Sequence, residues 1–182
     1  MPSLQVLTGP PPRDVALTIG KFESLHRGHL RLIGATTATA RARGLASAVL
    51  SFAPHPAQVF GQDYTPLLSP AQQATLLEGR TDYWLTRPFT RAFADTPPEA
   101  FCDWLYTHLR CRALVVGEGF RFGRQRMGDT TFLAAWGAAH GMTVESIPHQ
   151  HEGGEIISTS RIRRLLAANN ITEAEICLGR KI

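Results

Sequence analysis

Residues 15–29 read VALTIGKFESLHRGH, and they combine two structural signals with a chemical one. Val15–Ile19 is a compact apolar run rich in β-branched residues, which is typical of a buried strand and ends at Gly20. Residues 28–43 are rich in alanine and favour a helix, which Gly44 closes as a C-terminal glycine commonly does. We therefore predict a strand, a short loop and a long helix in direct succession.

The same alternation continues along the chain. Further strands are predicted at residues 46–52, 82–86, 112–116 and 143–147. Helices are predicted from an N-cap at Ser69 to about Glu78, from a capping box at Thr96 to about Arg110, over residues 130–140, and from near Ser160. Strands separated by helices indicate βαβ units. The fold class predicted is α/β, a single Rossmann-like domain over residues 1–182 with a mostly parallel central sheet flanked by helices. The three prolines at residues 10–12 are expected to form an exposed lead-in.

The composition is that of an ordinary soluble globular protein. Of the 182 residues, 43% are hydrophobic and 19% charged, and the net charge is +4. The basic residues are scattered and lack a nucleic-acid-binding signature, so we expect anionic small molecules as partners and no nucleic acid. No signal peptide and no apolar run long enough for a membrane span are recognisable, so the expected location is the cytoplasm.

Cys102, Cys111 and Cys177 lack a CxxC spacing and predict neither a disulfide scaffold nor a zinc site. The oligomeric state is left open.

The first chemical signal is the HxGH pattern formed by His26, Gly28 and His29 at the start of the predicted helix. Free backbone N–H groups and the positive end of the helix dipole favour phosphate there, and glycine permits a close approach. Histidines three residues apart share one side of the first turn. Two such histidines could also merely cap the helix or cover its surface. Their position after a strand and a glycine favours a phosphate site.

The second signal is residues 157–163, ISTSRIR, at the start of the last predicted helix. Hydroxyl groups and backbone N–H groups beside arginines are suited to binding phosphate. Taken alone, the segment is more typical of an N-capping serine cluster on a basic surface helix. In parallel sheets, ligands bind beyond the carboxyl ends of the strands, and both signals are predicted to lie there.

Together the two segments resemble the motifs of the nucleotidyltransferase superfamily. In that superfamily, the HxGH histidines contact the phosphates of ATP. Three further segments resemble bacterial FAD synthetases more closely. They are Ser51–Pro56 with its FxPHP pattern, Val116–Gly123 followed by Gly128 and Asp129, and Leu178-Gly179-Arg180. The resemblance runs from about Val15 to Arg180, with its segments in the order of the family.

The resemblance implies an adenylyltransferase that moves AMP from ATP to FMN and yields FAD and pyrophosphate. Mg²⁺ would arrive with ATP, and the protein itself would hold no metal. The implied catalytic residues are His26, His29 and Arg161. The implied ATP-binding residues are Gly20, Phe22, His26, His29, Ser158, Thr159, Arg161 and Arg163. The implied flavin-binding residues are His55, Pro56, Phe120, Phe122 and Asp129. His55 could instead only stiffen a turn, and Phe120 and Phe122 could be plain packing residues.

The sequence departs from the family pattern in two loops, at residues 20–26 and at Gly119. The usual GNFDGVH reads GKFESLH at residues 20–26, so that Lys21 and Glu23 bring charges expected to reach the phosphates. Ser24 replaces a flexible glycine, and Gly119 replaces an aspartate or asparagine. These changes retain the phosphate-binding groups but leave the acceptor open.

Two alternatives to FMN adenylylation therefore stand: a nucleotidyltransferase for another phosphorylated acceptor, and a module that binds flavin or nucleotide without turnover. The riboflavin kinase barrel of the family would begin where this sequence stops, so no kinase activity is expected from the chain.

Overall fold

A computed structural model describes residues 3–182 of the chain. In chain order, the strands are β1 (Gln5–Leu7), β2 (Val15–Ile19), β3 (Ala46–Phe52), β4 (Tyr83–Arg87), β5 (Cys111–Gly117), β6 (Thr143–Ile147), β7 (His151–Glu152) and β8 (Glu155–Ile156). The helices are α1 (Arg27–Ala42), α2 (Pro56–Val59), α3 (Pro70–Leu77), α4 (Arg91–Ala94), α5 (Pro98–Thr107), α6 (Thr130–His140), α7 (Thr159–Ala167) and α8 (Ile171–Leu178), with a 3-10 turn at Arg124–Arg126.

Six strands form one parallel sheet in the order β1-β4-β3-β2-β5-β6. The chain builds the sheet outward from β2 in one direction through β3 and β4, and in the other through β5 and β6. Strands β7 and β8 form a separate antiparallel hairpin. The predicted α/β class with a mostly parallel, Rossmann-like sheet is confirmed. The strand order reverses between β2 and β5, which is where such sheets bind ligands.

Helices cover both faces of the sheet. On one face, Leu105 of α5 and Leu133 of α6 share a buried cluster with Leu17 and Leu114 of the central strands. On the other face, Leu32 and Ile33 of α1 and Leu77 of α3 pack with Val49 and Val115. All five residues of β2 are buried. This two-sided burial explains why the central strands read as nearly continuous apolar runs.

The strongly apolar strands and the longer helices match their predicted positions, and β2, β3, β6 and α6 match to the residue. The capping box predicted at Thr96 is wrong, because Pro97 is the N-cap residue and no side chain caps α5, which ends at Thr107. The prediction that residues 10–12 form an exposed lead-in is wrong in part, because Pro11 is buried. The short elements β1, α2, α4 and the hairpin were not predicted, and neither was α8.

No helix within residues 3–182 combines the length and the apolar character that a membrane crossing requires.

Two helical glycines give a matched test of this packing. A Cβ atom on Gly137 of α6 would collide with the carbonyl oxygen of Met142, whereas a Cβ on Gly34 of α1 would meet no atom within 4 Å. We expect Gly137→Ala to lower the free energy of unfolding by about 1–3 kcal/mol through overpacking. Gly34→Ala should raise it by about 0.5–1 kcal/mol, since alanine loses less backbone entropy in a helix. Urea unfolding measures both, and an equal effect of the two substitutions would contradict the close packing of α6 on β6.

Candidate active site

A cavity of about 370 Å³ opens at the carboxyl ends of β2 and β5, where the strand order reverses. Gly20 follows β2 and Gly117 ends β5, and both line the cavity. Its other polar groups come from the starts of α1 and α7 and from the segment after β6. We call it the histidine cavity. Its lining includes His26, Gly28, His29, Glu118, His149, Gln150, Ser158 and Thr159.

His26 and His29 form a stacked pair at the start of α1. His26 is the N-cap residue, and its Nδ1 accepts a hydrogen bond from the backbone N–H of His29 at 3.2 Å. The two rings lie 3.7 Å apart at 14° to each other. Because Nδ1 of His26 accepts, its neutral ring carries the proton on Nε2. A Cβ atom on Gly28 would come within 3.1 Å of the His26 ring, a crowded contact that glycine avoids.

Burial keeps both imidazoles neutral at physiological pH. Burial is the main reason that the pKa of His26 falls from 6.5 to about 4; a backbone hydrogen bond opposes this shift, and Arg180 and His149 add to it. Burial, and then His26, hold the pKa of His29 well below its usual value. Nδ1 of His29 is buried and has no hydrogen-bond partner among the described residues. In the absence of ligand, both rings are therefore neutral N–H donors rather than imidazoles close to their pKa.

The hydroxyl groups of the second signal line the same cavity. Ser158 is the N-cap residue of α7, and its Oγ accepts from the backbone N–H of Arg161 at 3.2 Å. Thr159 begins the helix, and its Oγ1 lies 3.0 Å from Oγ of Ser24. Neither α1 nor α7 has an acidic residue in its first turn. Two helix N-termini, far apart in sequence, thus face one cavity with no carboxylate in the first turn of either helix.

Arg161 is not among the residues that line this cavity. Its guanidinium is 5% exposed and donates to the backbone carbonyls of Glu152 at 2.7 Å and Glu155 at 2.9 Å. It also binds the carboxylate of Glu173 on α8. Arg161 thereby joins the β7–β8 hairpin to α8.

Arg163 also lies outside the cavity. Its guanidinium binds the carboxylate of Glu23 and the carbonyl of Thr65. The sequence-based expectation that Glu23 reaches the phosphates is wrong, because its buried carboxylate faces Arg163 and lies 3.4 Å from Nε2 of His55. Glu23 therefore stabilises the loop between β2 and α1 through contacts on the side away from the cavity.

The loop of residues 20–26 is fixed by the far end of the chain. Arg180 donates to the carbonyls of Ser24 at 2.8 Å and Leu25 at 3.0 Å. Phe22 and Leu25 have φ of 47° and 44°, a left-handed conformation that non-glycine residues rarely adopt. Surrounding contacts must hold such strained residues, and in proteins they cluster at functional sites.

A second, larger cavity of about 790 Å³ adjoins the first. Seven phenylalanines line it, together with four cationic residues and Asp95. We call it the aromatic cavity. The aromatic residues are Phe52, Phe60, Phe89, Phe93, Phe101, Phe120 and Phe122, and the cationic residues are Lys21, Arg91, Arg121 and Arg126.

Of the predicted flavin-binding residues, Pro56, Phe120 and Phe122 line the aromatic cavity, whereas His55 and Asp129 do not. His55 caps α2 through Nδ1 and stacks on Tyr64, with ring centres 4.0 Å apart. Burial and then Lys21 lower the pKa of His55, while Glu23 raises it. Asp129 caps α6 and binds Arg121 at 3.1 Å.

The two cavities share one wall, made of Ile19, Gly20, Gly119 and Phe120. Gly119 has φ of 75°, which explains a residue without a side chain in the turn after β5. The shared wall places the histidine cavity, with its N–H and O–H donors, against an aromatic cavity with a cationic lining. An anionic group bound in one can therefore come close to a ligand in the other.

Sequence reasoning missed several lining residues. His149 and Gln150 follow β6, and polar residues after a parallel strand were a signal that could have identified them. Phe93 lies on the short helix α4, Phe60 follows α2 and Phe89 lies between β4 and α4, and none of them belongs to a motif. Only the folded chain brings these three together.

Comparison with known proteins agrees with this geometry. The model of the FAD synthetase family matches residues 10–161. The bifunctional riboflavin kinase/FMN adenylyltransferase of Escherichia coli (strain K12) is 37% identical over 177 residues, which are 95% of this chain and 56% of that protein. An FAD synthetase of Listeria monocytogenes is 30% identical over 171 residues, covering 92% of this chain and 69% of that protein. The chain thus spans little more than half the length of the bifunctional relative.

A solved structure described as a macrolide-efflux protein from Streptococcus pneumoniae superposes with a TM-score of 0.85. It is 21% identical and covers 97% of this chain and 60% of that one. At this identity the likeness shows the shared fold alone.

The neutral state of His26 predicts a loss of stability in acid. The unfolded chain takes up this proton as the pH falls through about 6.5, whereas the folded chain resists it until about 4. The stability that the neutral His26 contributes is therefore complete above a pH of 6.5 and is lost as the pH falls to about 4. The loss amounts to about 3 kcal/mol, because each pKa unit corresponds to about 1.4 kcal/mol. His26→Asn retains a capping oxygen and removes the titration. Urea unfolding between pH 7 and 4 should show a shallower decline for this variant. The same decline in both proteins would contradict a lowered pKa of His26.

The contacts of Arg161 predict a structural effect of its replacement. Arg161→Gln should lower the free energy of unfolding by roughly 2 kcal/mol, because the charged hydrogen bonds to Glu152, Glu155 and Glu173 are lost. Arg164→Gln removes an exposed arginine of the same helix and should change stability by less than about 0.5 kcal/mol. Denaturant titration compares the two. A stable Arg161→Gln protein that loses only its affinity for ATP would instead favour direct phosphate contact.

Proposed function

Since the chain belongs to the FAD synthetase family, we propose that it transfers the adenylyl group of ATP to FMN and releases pyrophosphate. The observation that carries this proposal is the wall shared by the histidine and aromatic cavities. Adenylyl transfer requires the acceptor phosphate and the α-phosphate of ATP to meet, and a shared wall allows both ligands to meet there while each keeps its own cavity.

In this proposal the triphosphate of ATP occupies the histidine cavity. His26 and His29 donate hydrogen bonds to phosphate oxygens as neutral imidazoles. The backbone N–H groups at the starts of α1 and α7 and the hydroxyls of Ser158 and Thr159 supply further donors. Gly20 allows the nucleotide to approach the end of β2, and Phe22 supports His29, whose ring centre lies 5.2 Å away.

FMN occupies the aromatic cavity with its ring system among the phenylalanines. Flat aromatic surfaces favour stacked or edge-on contacts with another ring. Pro56, Phe120 and Phe122 contact the flavin in this arrangement. His55 and Asp129 act indirectly, because they cap the helices α2 and α6 that border the cavity.

The reaction is a direct displacement at phosphorus. An oxygen of the FMN phosphate forms a bond to the α-phosphorus of ATP, and the bond from that phosphorus to the bridging oxygen of the β-phosphate breaks. Both electrons of the broken bond leave with pyrophosphate. Catalysis of this kind depends on position and on donors for developing negative charge, and it needs no covalent bond to the protein.

Mg²⁺ belongs to this proposal as an ion that enters bound to ATP. Within residues 3–182, no group of three or more His, Cys, Asp or Glu residues is arranged to hold a metal ion. Mg²⁺ keeps several water ligands and commonly binds phosphate oxygens at such sites. The residues of the histidine cavity fit this mode because they offer N–H and O–H donors to the remaining oxygens.

Arg161 and Arg163 take supporting roles in the proposal. Arg161 would have to leave three partners to reach a phosphate. We place it as a positioning residue that fixes Ser158 and Thr159 against the hairpin, and Arg163 as one that fixes the loop of residues 20–26 through Glu23. The proposal also places the reaction in the cytoplasm and includes no nucleic acid partner.

A panel of acceptors tests the proposed function. Incubation with ATP, Mg²⁺ and FMN should release pyrophosphate and reduce flavin fluorescence, because adenine stacks on the flavin in FAD. His29→Ala should lower kcat about 100-fold, the usual effect of losing one donor to a developing oxyanion. His140→Ala, an exposed histidine of α6, is the matched control and should leave kcat unchanged.

Two results would contradict the proposal. Pyrophosphate release with another phosphorylated acceptor but none with FMN would replace the flavin assignment. Saturable nucleotide binding without any pyrophosphate would indicate a binding module.

A further inference from the structure

The histidine cavity, as residues 3–182 form it, has no cationic side chain in its lining. Among the described residues, neither lysine nor arginine lines it, and its buried histidines His26 and His29 are neutral. Within the same part of the chain, the only acidic residue in its wall is Glu118, whose carboxylate accepts from the backbone N–H of His149 at 2.7 Å. Two phosphate groups bound side by side here repel each other, and the carboxylate of Glu118 repels both. A positive charge near the shared wall would offset that repulsion.

Four cations line the neighbouring aromatic cavity, and two of them adjoin the shared wall in sequence. Lys21 follows Gly20, and Arg121 follows Phe120. Arg121 is already bound to Asp129. Lys21 is exposed and has no carboxylate within 4.0 Å among residues 3–182, because the neighbouring Glu23 binds Arg163 instead. Lys21 is therefore the uncommitted cation next to the shared wall.

We propose that Lys21 binds the acceptor phosphate where the two cavities meet and holds it for attack on the α-phosphorus of ATP. This role rests on the proposed function and adds to it a residue that the family pattern, with asparagine at this position, does not supply. A lysine ammonium is a compact charge with three donors, so it can contact the acceptor phosphate and an α-phosphate oxygen together. Its charge favours an acceptor that carries a phosphate over the same flavin without one.

Kinetics of three variants test the proposal. Lys21→Gln should lower kcat/KM for FMN by about 10- to 100-fold, the range for a lost charged hydrogen bond, while the KM for ATP changes less than about twofold. Lys21→Arg restores the charge and should recover most of this loss. Lys181→Gln, at an exposed lysine bound to Glu175, is the control. Equal kcat/KM values for Lys21→Gln and the unaltered protein would overturn the proposal.

Chemical labelling provides a test without turnover, because Lys21 and Lys181 are the two lysines of the chain. Limited acetylation followed by peptide mass spectrometry reports both in one sample. FMN at a concentration that saturates its binding should slow labelling of Lys21 at least fivefold and leave Lys181 unchanged. Riboflavin, which has no phosphate, should protect Lys21 less.

The labelling results separate the two hypotheses. Equal protection of Lys21 by FMN and riboflavin, or no protection by bound FMN, would overturn the phosphate contact even if the protein makes FAD. Selective protection by FMN in a protein that makes no FAD would support the contact and contradict the proposed reaction.

Discussion

The burial of β2 on both faces is the constraint on which the rest of the structure depends. A five-residue strand without one exposed side chain must lie in the middle of a parallel sheet, with neighbours on both sides and helices above and below. Because β3 and β5 flank it, the strand order reverses there. The loop after β2 then emerges in the crevice where a ligand can reach several strand ends together. The position of the histidine cavity follows from this arrangement.

The polar residues of the histidine cavity are positioned by contacts with residues around the cavity. Ser24 contacts Thr159, Glu23 binds Arg163, and Arg180 binds two carbonyls of the loop. Glu23, Arg163 and Arg180 thus lie outside the cavity lining, which offers uncharged N–H and O–H donors beside the carboxylate of Glu118. Such donors suit a ligand that brings its own cation, because they bind oxygen atoms without competing with that cation for charge.

Much of the fold could be predicted from the sequence, because buried parallel strands and alanine-rich helices leave simple patterns. The strand β1 could not, because its three residues are largely exposed and only pairing with β4 defines it. The helix α8 was missed although Asn170 and Gly179 are ordinary cap residues. The motifs, together with the rule that ligands bind at the carboxyl ends of parallel strands, could predict that His26 and His29 lie in one cavity with Ser158 and Thr159. The actual partners of Arg161 could not be predicted, because the hairpin and α8 that supply them had no predicted place.

The contacts of Arg180 have a consequence for how the protein is made. The ribosome completes the strand–loop–helix segment first and adds Arg180 155 residues after Leu25. Until then the carbonyls of Ser24 and Leu25 lack the guanidinium that binds them, and two residues of that loop have an unfavourable backbone conformation. A nascent chain can therefore form its central strands during translation, but the loop of residues 20–26 becomes fully ordered only after Arg180 has left the exit tunnel.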